Sequence, residues 1–171
     1  MTDRKIFCSV PWTNVHIYWN GSFGACCSES HKPYKLDDQH VYNLKNMTVQ
    51  AWVNSKPMKS LRQEILLDSK LTQCSSCYSE ESHSYESRRI RENFKTVIFT
   101  EQAFDRSYVE STYIQDFVRE DNTTQRLPRD WHVDSGNECN LACKMCIPSA
   151  SSKISHYYDK WGLQSQSANN N

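Results

Sequence analysis

Thiols are the side chains here best suited to chemistry, and eight cysteines stand among 171 residues. They are Cys8, Cys26, Cys27, Cys74, Cys77, Cys139, Cys143 and Cys146. Two groups are tight, Cys74-x-x-Cys77 and Cys139-x-x-x-Cys143-x-x-Cys146. Such spacings let thiolates from one loop converge on one metal centre. An even cysteine count also fits a disulfide framework, but disulfides belong mainly to exported proteins. The stretch from Met1 to Cys8 has no apolar core of signal-peptide length. A cytoplasmic location and metal-binding thiols are therefore expected.

The second group has three thiolates, one fewer than closes a four-iron cluster. An iron without a protein ligand is open to a substrate or cofactor, as the open position of catalytic zinc is. This motif resembles the hallmark of the radical SAM superfamily, where it sits on the loop after the first strand of a partial (β/α) barrel. The resemblance implies that Cys139, Cys143 and Cys146 hold a 4Fe–4S cluster whose fourth iron binds S-adenosylmethionine. It also implies formation of a 5′-deoxyadenosyl radical that abstracts a substrate hydrogen. A reductant such as flavodoxin or ferredoxin and a peptide or protein substrate follow from the same resemblance. Met145 stands where the family usually has an aromatic residue near the adenine, and it is assigned to cofactor binding on that basis.

The spacing Cys8-x12-Gly21-x4-Cys26 is similar to the opening of the auxiliary-cluster domains called SPASM and twitch. With Cys74 and Cys77, Cys8 and Cys26 make four thiolates, enough for a second, auxiliary 4Fe–4S cluster. Cys27 rivals Cys26, because adjacent residues on a strand point to opposite faces. The cysteines for a further auxiliary cluster are missing, so the shorter twitch-like form fits better. The order departs from the commoner one, since the auxiliary domain here precedes the barrel.

The intervening segments must position these thiols. Val15, Ile17 and Trp19 alternate with His16 and Tyr18 as in a strand. Asn20-Gly21 then signals a type I′ hairpin turn with positive φ at both positions. The return strand, Ser22 to Cys26, would bring Cys26 or Cys27 back toward Cys8. Residues 43–68 read as helical, with a short helix at Ala51-Trp52-Val53. A second helix starts at Ser55 and Pro57 and carries Met58, Leu61 and Ile65 on one face. That helix leads to Cys74-Ser75-Ser76-Cys77, and a polar helical stretch runs on from there through Arg88, Arg89 and Arg91 to about Phe94. Thr96 to Phe99 is compatible with a strand, and Val109, Tyr113 and Phe117 fit one helix face. Trp131-His132-Val133 reads as a strand, followed by the cysteine loop and a helix from Ser149 to Trp161.

The expected fold class is α/β. An α+β cluster domain with a hairpin (1–95) and a connector (96–128) lead into the first βα unit of a radical SAM barrel (129–163). A disordered tail (164–171) follows. Only 25 residues follow Cys146, whereas a complete (β/α)8 barrel takes about 250. The chain is therefore expected to be the front part of such an enzyme, inactive alone.

Blander readings stand beside these. Cys139, Cys143 and Cys146 could form a zinc knuckle with His132 or His156, and four thiolates at 8/26/74/77 also suit structural zinc. Either would make the chain a non-catalytic protein-binding module. An iron–sulfur electron carrier is a third reading. The leftover cysteine would be a small buried hydrophobe, Arg88, Arg89 and Arg91 a solvated helix face, and Trp12, Trp19, Trp52 and Trp131 core. Lys plus Arg and Asp plus Glu are 20 each, which gives no reason to expect nucleic acid or an anionic membrane. No stretch approaches the roughly 18 apolar residues of a membrane span.

Overall fold

A computed structural model describes residues 7–29, 34–100, 121–124, 127–139, 141, 143 and 145–163. The fold is mixed α/β, with a small three-stranded sheet and several helices. The chain divides into two compact units. One comprises Met1–Ile17 and Gly21–Val133, the other Tyr18–Asn20 and Asp134–Asn171.

The first unit opens with a single helical turn, α1 (Val10–Thr13), with Pro11 in the position where its missing N–H does least harm. Asn14 turns extended and starts β1 (Asn14–Ile17). β1 pairs antiparallel with β2 (Phe23–Gly24), in the register Ile17 to Phe23 and His16 to Gly24. The predicted hairpin is present, but its turn differs. Tyr18 to Ser22 make a longer connection, and of Asn20 and Gly21 only Gly21 has positive φ, at +82°. A Cβ on Gly21 would lie 3.0 Å from Asn43 Oδ1. The glycine thus serves a close approach as well as a turn. That approach exists because the segment before Val49 folds onto the hairpin. Phe23 N donates to Tyr42 O at 3.0 Å, and Leu44 N to Gly21 O at 2.9 Å. Residues 43–47 accordingly form turns and a bridge rather than helix.

β3 (Asp130–Val133) lies on the other side of β1, parallel to it, with Val15 opposite Trp131 and His16 opposite His132. The strand read from sequence as the opening of a barrel is thus a neighbour of the hairpin. β1 becomes the central strand, and all four of its residues are buried. His16 is enclosed with the rest, its ring edge-on to His132 at 4.7 Å between centroids.

Thr48 caps α2 (Val49–Val53) by accepting from Ala51 N at 3.2 Å. α3 (Lys56–Leu66) starts at Ser55 with Pro57 in its first turn, as the sequence indicates. It buries Met58, Leu61 and Ile65, together with Arg62. Arg62 is 0% exposed. Its guanidinium Nε donates to Pro11 O and its Nη1 to Asn122 O, both at 3.0 Å. Burial lowers its pKa to about 10, still far above neutrality, so a cation ties α1 and α3 together. Asp68, at φ +55°, ends the helix in the left-handed conformation.

Trp52 is 0% exposed. Its ring stacks on Phe23 with centroids 5.4 Å apart, and Tyr34 and Tyr42 close on it at 5.2 and 5.3 Å. Trp12 joins the same core beside Phe7. Trp19 and Trp131, read as core, are instead 64% and 50% exposed. β3 is exposed along most of its length, so being in a strand does not bury Trp131.

A 3-10 turn (Thr72–Cys74) leads into α4 (Ser75–Ser82). α5 (Arg88–Thr100) follows, its first turn held by Ser87 Oγ accepting from Ile90 N at 3.2 Å. Thr96 to Phe99, a candidate strand, continue this helix. A capped helix already under way outweighs the weak β propensity of Val97-Ile98-Phe99. Val109, Tyr113, Phe117 and the tail from Gln164 lie outside the described residues. In the second unit, α6 (Ser152–Lys160) is capped by Ser151 and preceded by a 3-10 turn at Pro148–Ala150. Among the described residues, no helix is long and apolar enough to cross a membrane.

Because Trp52 joins α2 to the hairpin and to the loop that covers it, Trp52→Ala is expected to cost about 3–5 kcal/mol of stability. Urea unfolding followed by far-UV circular dichroism would read this as a lowered midpoint. A change below about 1 kcal/mol would show that the aromatic cluster does not hold the unit together.

Candidate metal centre

Cys8, Cys26, Cys74 and Cys77 line one cleft, which encloses about 490 Å³ including its open mouth. Local structure accounts for each position. Cys8 lies two residues before the α1 turn and Cys26 two residues after β2, so the antiparallel hairpin returns the chain toward Cys8. Cys74 closes the 3-10 turn and Cys77 lies one helical turn on, in α4. Residues three apart on a helix share a face. Leu61 and Ile65 of α3 and Val10 form apolar wall, while Glu29, Arg88 and Arg89 bring charge. Cys77 is buried and the other three cysteines are partly buried.

The separations bear on what the cleft could hold. Among the described residues, no three cysteine sulfurs lie within 4.8 Å of one another. A single zinc with Zn–S bonds of about 2.3 Å would draw its tetrahedral sulfurs to roughly 3.8 Å apart. The thiols would have to draw closer together to share one such ion.

Burial also sets their protonation. It pushes the Cys8 thiol up to about 12, with Cys74 and Cys77 reinforcing it against the opposing Val10 backbone and Arg89. Burial raises Cys74 to about 11, helped by Cys77 and Glu29. Cys26 and Cys27 contact each other through their thiols. Sharing that hydrogen bond raises Cys26, with burial adding to it, and lowers Cys27. The nearby Arg88 and His132 also favour a thiolate on Cys27. Both residues follow the end of β2, so they do not splay to opposite faces as strand neighbours would. Cys26 lines the cleft, and Cys27 is not among its lining residues. Cys27 is half-buried beside a cation rather than a small buried hydrophobe.

α5 supplies what the sequence reading missed. Arg89 is only 8% exposed. Its Nη1 donates to Phe7 O at 3.0 Å, its Nε donates to Glu81 at 3.0 Å, and its Nη2 also pairs with Glu81. Asn93, one turn further, donates to the same Phe7 O at 2.9 Å and accepts from Ser9 N at 2.8 Å. The backbone on both sides of Cys8 is thus gripped by two side chains of one helix. Arg88 lines the cleft as well. Burial works against its charge, but the sulfurs of Cys27 and Cys26 and the Glu92 carboxylate outweigh it and hold its pKa above the ordinary guanidinium value. Of the three arginines read as a solvated face, only Arg91 is exposed. The available signal was the i, i+4 pair Arg89 and Asn93 on a helix just after a Cys-x-x-Cys.

The second unit carries the other thiols. Cys143 is exposed and Cys139 and Cys146 are partly buried. Cys146 N donates to Cys143 O at 3.0 Å, closing a turn. The start of α6 anchors the loop. Cys139 N donates to Ser152 Oγ at 3.2 Å, and Ser151 Oγ donates to Leu141 O at 3.3 Å. Met145 is 92% exposed. Of the two histidines weighed as zinc partners for this loop, His132 belongs to the first unit, paired with His16. His156 is exposed on α6.

Residues 8–78 match the family model of the SPASM domain, an iron–sulfur cluster-binding domain. No curated protein and no solved structure matches the chain.

Since Cys8 and Cys74 carry their protons well above the usual thiol range, metal loading must displace them. Affinity for a thiolate-seeking probe such as Co²⁺ is expected to rise with pH, by at least about 100-fold per unit between pH 6.5 and 8.5, tenfold for each of these two protons, with the raised Cys26 thiol steepening it further. Competition titration read by the cobalt–thiolate absorption would test this. A flat profile would mean that the thiolates are already formed.

Proposed function

We propose that this chain is an iron–sulfur protein of the radical SAM kind. Its SPASM domain would hold an auxiliary 4Fe–4S cluster on Cys8, Cys26, Cys74 and Cys77. Cys139, Cys143 and Cys146 would hold a second cluster with one iron open to S-adenosylmethionine. One observation carries the first assignment. Four thiols from distant segments line a single cleft, within the stretch that matches the iron–sulfur cluster-binding family model. Four thiolates are the donor set of a closed 4Fe–4S centre.

The second assignment rests on the three-thiolate motif. Its loop is tied to the α6 start through Ser151 and Ser152, which leaves Cys143 and Met145 facing solvent. When bound, clusters of these two kinds supply one-electron transfer and, on an open iron, reductive cleavage of S-adenosylmethionine. The chain's own contribution is positional. Leu61, Ile65 and Val10 restrict water around the first centre, and Arg89 and Asn93 fix the backbone that presents Cys8. A peptide or protein substrate, a flavodoxin or ferredoxin reductant and a cytoplasmic setting complete this reading. Further barrel strands would be needed to enclose a reactive radical.

Iron and acid-labile sulfide per chain after anaerobic reconstitution test the proposal. Low-temperature EPR with and without S-adenosylmethionine completes the test. Two filled sites correspond to about eight irons, and a signal that the cofactor shifts is expected to vanish in Cys143→Ala. Cys77→Ala is expected to remove about four irons and spare the cofactor-sensitive signal. Zinc with negligible sulfide would overturn both assignments. About four irons lost in Cys77→Ala, with no response to the cofactor, would overturn the second alone.

A further inference from the structure

Resting on the auxiliary-cluster reading, we propose that Arg88 sets the reduction potential of the centre in the Cys8/Cys26/Cys74/Cys77 cleft.

Two arginines at the head of α5 line this cleft, and their bonding differs. Arg89 is saturated, with Phe7 O on one nitrogen and Glu81 on two others. Its charge is matched by that carboxylate. Arg88 has no such match. Its Nη2 lies 3.7 Å from Glu92 Oε1, the oxygen that also accepts from Lys95 Nζ at 3.0 Å. One carboxylate thus faces two cations; a second carboxylate, Glu29, also lines the cleft and accepts from Ala25 N and Tyr34 Oη. The Nε of Arg88 is buried and has no hydrogen-bond partner among the described residues.

A buried N–H left unmade is unfavourable and rare in folded proteins. Here it belongs to a side chain lining a cleft whose other polar groups include four thiols. Thiolates and the sulfides of a cluster accept hydrogen bonds and carry net negative charge. Such a centre gains one further negative charge on reduction. A cation beside it, and any N–H that donates to its sulfurs, therefore stabilise the reduced form more than the oxidised one. Hydrogen bonding to sulfur and local charge are recognised determinants of cluster potential. The step is simple to balance: one electron enters from an external one-electron donor, no bond breaks and no proton moves. Arg88 acts through the centre's environment and is a positioning residue.

The test is a mediated redox titration of the reconstituted full chain, poised with dithionite and viologen dyes and read by EPR. Iron and sulfide are counted on every sample. Arg88→Met is expected to lower the reduced-to-oxidised ratio at fixed ambient potential by about tenfold, equivalent to about 59 mV for one electron. Arg88→Lys keeps the charge without the guanidinium N–H, so it should recover part of that loss. Glu92→Gln, which removes the opposing carboxylate, should shift the ratio the other way. Arg91→Met, on the exposed face of the same helix, should leave it unchanged.

Equal potentials in wild type, Arg88→Met and Glu92→Gln, all carrying a full cluster, would overturn the inference and leave the cluster assignment standing. Failure of Arg88→Met to load iron, with Glu92→Gln at the wild-type potential, would also overturn it and make Arg88 an assembly residue. A wild-type chain that binds no iron or sulfide in this cleft fails at the earlier reading.

Discussion

Four sulfur atoms spread between Cys8 and Cys77 must reach one cleft. The closure of such long loops is entropically unfavourable, and each segment needs its own anchor. The two ends are anchored by different physics. The Cys26 side is held by packing. Phe23 stacks on Trp52, and the 34–47 loop pairs with the hairpin edge, so the strand leading to Cys26 cannot drift. The Cys8 side is held by polar contacts, with Arg89 and Asn93 of α5 both bonding Phe7 O and Asn93 also holding Ser9 N. α3 bridges the two, its buried face reaching the core while Arg62 holds the α1 carbonyl of Pro11.

The electrostatics of the cleft follow from that construction. Thiols withdrawn from water resist ionisation: burial raises Cys8, with Cys74 and Cys77 adding to it, and burial raises Cys74, with Cys77 and Glu29 adding to it. The counterweights are the arginines at the head of α5. They do not ionise the thiols unaided, but they lower the cost of anionic charge once a metal centre has displaced the protons. Arg89 spends its charge on Glu81 and its geometry on the backbone of Cys8. Arg88 keeps more of its charge for the cleft. Two adjacent, chemically identical side chains thus acquire different tasks through their carboxylate partners.

Some of this was legible from sequence alone. The hairpin and the start of α3 followed from alternation and from Ser55 with Pro57. The cleft's four thiols followed from cysteine spacing and from the SPASM resemblance, which the match at residues 8–78 supports independently. The errors share a cause. Trp19 and Trp131 were read as core because large aromatics are usually buried, but exposure depends on which face the assembled sheet covers. The turn at Asn20-Gly21 was read as a tight type I′ because local preference favours it. Contact with Asn43 produced a wider connection instead. Arg88 and Arg89 were read as solvated because long charged side chains on a polar helix usually are.

The sequence by itself determined the chemistry available: thiols in sets of four and three, the apolar faces that bury the helices, and the glycine and proline positions that punctuate the chain. These depend on residue type and short-range spacing, which are one-dimensional properties. The tertiary structure decided which thiols share a space, how far apart they sit, and which cation faces them. It also decided that β3 runs parallel beside β1, burying His16. Those outcomes depend on contacts between segments tens of residues apart. Local propensity carries no information about them, because their energy exists only once both partners are in place.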